Sequence, residues 1–255
     1  MKRTALATSF RVAVVAAALA MLPSGTTAFG EASHATVAVE RRTEASPSPA
    51  LGELYQSVLS FEPGAWTAVH AHNGGSYNTV IEGQVTLRIG DTDRTFGPGE
   101  GWTDEPGVLH VAGNAGSTGE ARLIASMVVD RGMPPVTVIE PEDEDSAPPP
   151  PEFVAMTKAV AALPAGPLDV VEQTMDLDAD TRVVLPAPLG PRLVGVLDGT
   201  VTVEIDGASR TVEAGEGWTE SPDHTYAYTV GEGGAQIALT SMVPHEAPVA
   251  ATAGQ

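Results

Sequence analysis

The strongest constraint on this chain is that it repeats itself. Val80-Ile-Glu-Gly-Gln-Val-Thr-Leu-Arg-Ile89 lies over Val196-Leu-Asp-Gly-Thr-Val-Thr-Val-Glu-Ile205, a shift of 116 residues. At the same shift Gly99-Glu-Gly-Trp-Thr-Asp-Glu-Pro106 lies over Gly215-Glu-Gly-Trp-Thr-Glu-Ser-Pro222. One deletion later, Ser126-Met-Val128 lies over Ser241-Met-Val243. Such agreement at one shift describes a tandem of two homologous domains. Within each copy the pattern is that of strands: Val85, Leu87 and Ile89 alternate with Thr86 and Arg88, so one face is buried and one is wet. Gly90-Asp91 and Gly97-Pro98-Gly99 punctuate the first copy, and Asp206-Gly207 between alternating runs marks a two-residue hairpin. Both domains are therefore expected to be all-β.

Around the repeats the composition changes. Residues 1–28 combine a basic head (Lys2, Arg3, Arg11), an apolar run from Val12 to Leu22 and a small-residue exit ending at Ala28. That order predicts a secretory signal peptide, since about 11 apolar residues are too few to span a bilayer. Residues 29–50 read as a flexible arm, 51–138 as the first domain and 139–152 as an acidic proline-rich linker. Prolines without a backbone donor and repelling carboxylates favour an extended spacer. Residues 153–245 form the second domain and 246–255 a tail. Within Phe153 to Leu163, apolar residues at 153, 156, 160 and 163 have helical spacing, so a short helix is expected there.

A formal charge of −20 repels phosphates and anionic head groups, which argues against nucleic-acid partners and, after signal cleavage, against the membrane surface. No other apolar run reaches about 18 residues. With no cysteine, disulfides, thiolate ligands and a cysteine nucleophile are all excluded. The expected location is secreted or extracytoplasmic.

The chemistry is concentrated in the first copy. His70-Ala71-His72 places two imidazoles on one face of an extended strand, together with Trp66 and Ala68. A third, His110, ends the run that begins at Gly107. Two histidines on one strand and one on a neighbour can meet at a single metal ion.

These residues resemble the two motifs of the cupin superfamily. The first reads Gly64, five residues, His70-Ala71-His72, three residues, Ser76, six residues, Gly83; the second reads Gly99, five residues, Glu105-Pro106-Gly107, two residues, His110, three residues, Asn114. Ser76 stands where the family has glutamate and Glu105 where it has proline. The resemblance covers about Tyr55 to Val128 and, in degenerate form, Val171 to Val243, so the chain is similar to a bicupin. It implies two tandem antiparallel β-barrels, and one divalent transition metal (zinc, iron, manganese, copper or nickel) held by His70, His72 and His110. Ser76, Tyr77, Asn78, Glu105 and Asn114 are candidates for supporting the ligands or touching a substrate. In the second copy Pro186, Pro188 and Tyr226 replace the three histidines and Arg192 replaces Ser76, so those side chains hold no metal there. His224, Tyr226 and Tyr228 alternate onto one face, either as barrel filling or as an aromatic pocket.

The resemblance implies a metal-dependent dioxygenase acting on a small oxygen-bearing compound. The alternatives are a non-catalytic small-ligand or metal-binding protein and a structural scaffold with a vestigial site. A small-molecule partner follows from the first two, and pairing through sheet edges makes a homodimer a candidate assembly.

Overall fold

The computed structural model describes residues 34–45, 51–139 and 147–248. The signal-like segment, the prolines of 46–50 and the acidic centre of the linker lie outside the described residues. In chain order the strands begin with β1 (Ala35–Ala45), β2 (Leu51–Phe61), β3 (His70–His72), β4 (Gly75–Glu82), β5 (Val85–Ile89) and β6 (Thr92–Phe96). They continue with β7 (Gly101–Asp104), β8 (Val111–Gly113), β9 (Ala121–Asp130), β10 (Val136–Val138), β11 (Glu152–Ala162) and β12 (Leu168–Leu177). The last are β13 (Arg182–Leu185), β14 (Arg192–Ile205), β15 (Ala208–Glu213), β16 (Gly217–Glu220) and β17 (Tyr226–Pro244). All pairings are antiparallel, and no helix occurs among the described residues.

The first barrel is built from the sheet β11-β2-β9-β4-β7 with the smaller sheets β6-β5-β8 and β10-β3. The second is the sheet β1-β12-β17-β14-β15, with β13 on β17 and β16 on β14. The fold is thus two tandem β-barrels, as the alternating patterns imply. The Asp206-Gly207 pair joins β14 to β15 with both residues at positive φ (48° and 81°), the geometry of a type I′ hairpin turn.

The chain does not, however, keep each strand in its own barrel. β1 pairs along its length with β12, so part of the expected flexible arm is an edge strand of the second barrel. Arg42 fixes it there, donating to Asp169 at 2.5 Å. The expected helix at Phe153–Leu163 is also overturned: Glu152–Ala162 is a strand that pairs with β2. Phe153, Met156 and Val160 are 59%, 56% and 48% exposed, so the helical spacing never described a buried stripe. Both segments are edge strands whose burial alternates, but the half-covered positions of β1 carry Arg41 and Thr43 as well as Val37 and Val39, so hydrophobicity alone does not mark the alternation.

The central strands read as near-continuous apolar runs because both of their faces are covered. On β9, Leu123 and Ala125 face the first barrel's core with Phe61, Val80 and Trp102. The intervening Ile124 and Val128 pack outward against Ala238, Leu197, Leu193 and Met242 of the second barrel. A polar chain crosses this otherwise apolar seam. Gln56 Nε2 donates to Thr240 Oγ1 (2.9 Å), Thr240 lies 2.8 Å from Ser126 Oγ, and Ser126 donates to Glu172 Oε1 at 2.6 Å. Thr79 Oγ1 donates to the other oxygen of Glu172. Tyr77 lies in the same seam, among Leu54, Val128 and Leu168.

Candidate metal centre

β3 is only three residues long, and its position is set from two sides. It pairs with β10, Val138 opposite His70 and Val136 opposite His72. On the other side His70 and His110 form a bridge, exchanging backbone hydrogen bonds of 3.0 and 2.9 Å. Residues opposite each other in such a pair send their side chains to the same face, so the two imidazoles lie 4.3 Å apart between centroids. His72, two residues along, joins them with its ring 5.0 Å from each. One ring nitrogen from each of the three lies within 4.8 Å of the others. The structure therefore brings together His70, His72 and His110, which lie apart in sequence.

The hydrogen bonds prepare two of these rings to act as ligands. His70 Nδ1 donates to the Ala68 carbonyl (2.9 Å) and His110 Nδ1 to that of Val108 (3.0 Å), which leaves both Nε2 lone pairs free. Burial, aided by the neighbouring imidazoles against the pull of the Ala68 carbonyl, lowers the pKa of His70 to about 4, so it is neutral near pH 7. His72 is different: its buried Nδ1 has no protein partner. An unsatisfied buried nitrogen costs roughly 1 to 3 kcal/mol, so a ring held this way is better explained by a ligand than by packing.

The carboxylate absent at position 76 is supplied by Asp104. Its Oδ2 lies 3.4 Å from His72 Nε2 and 3.7 Å from His110 Nε2. Asn78 Nδ2 (2.9 Å) and Trp102 Nε1 (3.2 Å) donate to the same oxygen. Burial alone would raise its pKa, but the hydrogen bond from His72, the charge interactions with His110 and His72, and the Ser76 hydroxyl together hold it below the usual carboxylate range. β7 can carry Asp104 this close because Gly101 lies against β4; a Cβ there would sit 1.8 Å from the Asn78 carbonyl oxygen.

Of the other candidates, Ser76 and Asn78 belong to this cluster, with Asn78 Nδ2 also donating to Ser76 Oγ at 3.0 Å. Tyr77, one residue out of phase, points into the seam between barrels. Glu105 is exposed beyond the end of β7. Asn114 clamps a turn, donating to the Phe61 and Gly119 carbonyls (3.0 and 2.8 Å) and accepting from Gly116 N (3.0 Å). Trp66 lies outside the cluster, under the Arg88 guanidinium at 4.7 Å. Asp104 was the residue missed. Alternation from the buried Trp102 puts 104, not 105, on the inner face, and the acidic Glu220 at the corresponding place in the second copy is a second signal.

The corresponding place in the second barrel is filled by protein. Ser76 is opposite Asp104 on β4 and β7, and Arg192 is opposite Glu220 on β14 and β16. Arg192 Nε donates to Glu220 Oε2 (2.7 Å), and Trp218 Nε1 and Tyr228 OH donate to Oε1 (2.9 Å for the indole). Tyr226 and Tyr228 are buried, and Tyr226 OH accepts from Ser221 N, so the aromatic residues fill this barrel. His224 is more exposed, edge-on to Tyr226 with ring centroids 6.4 Å apart and beside Asp206 at 2.6 Å.

Residues 57–128 match the family model described as Cupin domain. No curated protein sequence matches the chain. Among solved structures, a vicilin from Solanum melongena is 11% identical and covers 76% of each chain with a TM-score of 0.56. A vicilin from Corylus avellana is 10% identical, again over 76% of each chain, with a TM-score of 0.56. An oxalate decarboxylase is 12% identical over 78% of this chain and 71% of its own, with a TM-score of 0.51. At such identities the likeness is one of fold. Residues 57–128 thus match the cupin-domain model, and the chain has the cupin β-barrel fold.

Proposed function

We propose that this protein is an exported bicupin that binds one divalent transition metal in its first barrel, through His70, His72 and His110, and admits a small oxygen-bearing compound to it. The single observation that carries this reading is the convergence of three buried imidazoles, one with an unsatisfied nitrogen, beside an ionised Asp104. The donor set suits the group: neutral imidazoles are ligands for zinc, iron, manganese, copper or nickel, and a carboxylate offsets part of the charge. The reaction class is dioxygenation. A bound redox-active metal would supply Lewis-acid and electron-transfer chemistry. The chain's own residues would orient the ligating rings through Ala68 and Val108, and the ionised Asp104 would offset part of the metal's charge beside His72 and His110. The second barrel is a degenerate copy in which Arg192 provides the positive charge that a metal would provide in the first. The Solanum melongena vicilin, described with anionic ligands in structurally similar pockets, supports small-molecule binding within this fold.

Elemental analysis of the whole chain after metal loading tests the assignment. One metal per chain is expected, with less than about a tenth retained by His72→Ala or His110→Ala at unchanged thermal stability. Asp104→Asn is expected to weaken binding by roughly 10 to 100-fold. A parent protein that takes up none of the five metals would overturn the proposal. Oxygen uptake by the loaded protein with a catechol and flavonol panel then separates turnover from binding alone.

A further inference from the structure

A cavity of about 400 Å³ opens from the histidine cluster, and its walls say what belongs in it. Leu59, Leu123, Met127 and Trp102 line its depth. Its outer wall comes from elsewhere in the chain: Val136 and Val138 of β10, and Phe153 and Met156 of β11, the strand that leads to the second barrel. Among the described residues, no lysine, arginine, aspartate or glutamate lines it. Lys158, on the same β11, is held outside by Glu53 at 2.9 Å and over the Tyr55 ring at 4.9 Å. The polar groups in the wall are largely committed: Tyr55 OH donates to Glu53 (2.8 Å), Thr67 Oγ1 accepts from Ala112 N (3.0 Å), and Asn78 Nδ2 serves Ser76 and Asp104.

A site of this size with apolar walls and polar groups gathered at one end suits an apolar small molecule with a polar terminus. In the metal-free barrel a compact dianion would lose its hydration with no cationic side chain among the described residues to replace it. We propose that the first barrel takes an uncharged, predominantly apolar ligand of aromatic size, presenting one oxygen to the histidine end. Phe153 and Met156, at 59% and 56% exposure, form the mouth and select what enters. This deepens the metal reading and rests on it only for the oxygen contact; the apolar walls act with or without metal.

The test uses the whole chain stripped of metal and titrated with N-phenyl-1-naphthylamine, a neutral apolar fluorophore. One probe is expected to bind per chain and to be displaced by 2-naphthol, whereas millimolar oxalate leaves it bound. Met156→Lys should weaken the probe at least tenfold and Phe153→Ala several-fold, both with unchanged melting curves because these side chains are largely exposed. Metal loading should tighten 2-naphthol, which has an oxygen to offer. Absence of probe binding, displacement by oxalate, or a probe indifferent to both substitutions would each sink the ligand assignment. Failure of metal alone to affect 2-naphthol would sink the oxygen contact and leave the apolar site standing.

Discussion

Arg192→Ala is expected to destabilise the second barrel by about 3 to 5 kcal/mol, because it strands the Glu220 carboxylate in a fully enclosed site. Arg192 and Glu220 have side chains 2% and 0% exposed, so solvent cannot take over the lost charge. Trp218 and Tyr228 would remain as neutral donors to the carboxylate. Replacing both partners, as Arg192→Met with Glu220→Leu, removes the charge together with its counter-charge and is expected to lose far less, since two buried desolvation penalties disappear with the attraction. The comparison is made by denaturant or thermal unfolding. For a chain of this length the single variant should melt roughly 10 °C lower. A double variant as unstable as the single one would show that side-chain volume, rather than charge balance, holds this part of the barrel. The first barrel's probe and metal binding should survive as long as the chain is folded.

The second large effect is a pH dependence located in the seam. Glu172 is enclosed by both barrels, and burial raises its pKa to about 7 against the hydrogen bonds from Ser126 and Thr79 and the charge of Arg41. In the unfolded chain the same group titrates near 4.5. Between these values the folded protein holds a proton that the unfolded chain has released, so stability falls as pH rises from about 4.5 to about 7 and then levels off. The full change is roughly 3 kcal/mol for this one group. Glu172→Gln stays neutral throughout, so it should match the parent near pH 4.5 and exceed it at pH 8. The measurement is the difference between the two unfolding free energies across that range, which cancels the contributions of all other carboxylates. A constant difference would place the titration elsewhere.

Much of the first barrel's site could be read directly from the chain. His70 and His72 share a face by strand periodicity, and the glycines that frame them occupy conformations that favour glycine. Gly83, for example, has φ of +64°, and a Cβ there would lie 2.4 Å from the Glu120 carbonyl oxygen. Its counterpart Gly199 has φ of +78° with the same kind of close contact, to Gly234. Turns and hairpins are local events, so local sequence describes them well. Asp104 was legible in principle, from the Trp102-Thr103-Asp104 alternation and from Glu220, but the more conspicuous neighbour Glu105 diverts attention to the wrong face.

The edge strands were not legible in that way. β1 and β11 are half exposed, and the half-covered face of an edge strand can carry polar side chains such as Arg41 and Thr43, so hydrophobic alternation does not mark it. Their partners lie on the far side of the linker, β1 on β12 and β11 on β2.

By itself, then, the sequence determined two all-β units with a shared pattern, one of them with three histidines on convergent strands and the other without. Short-range rules suffice for that: the two-residue period of a strand, the positive φ of glycine, and the comparison of one copy with the other. Only the tertiary structure decided the rest. It placed Asp104 against His72 and His110, paired Arg192 with Glu220, enclosed Glu172 in the seam and closed the first barrel's cavity with Phe153 and Met156 from the strand beyond the linker. Each of these is a meeting of side chains on different strands, and periodicity tells which face a residue takes but not what stands opposite it.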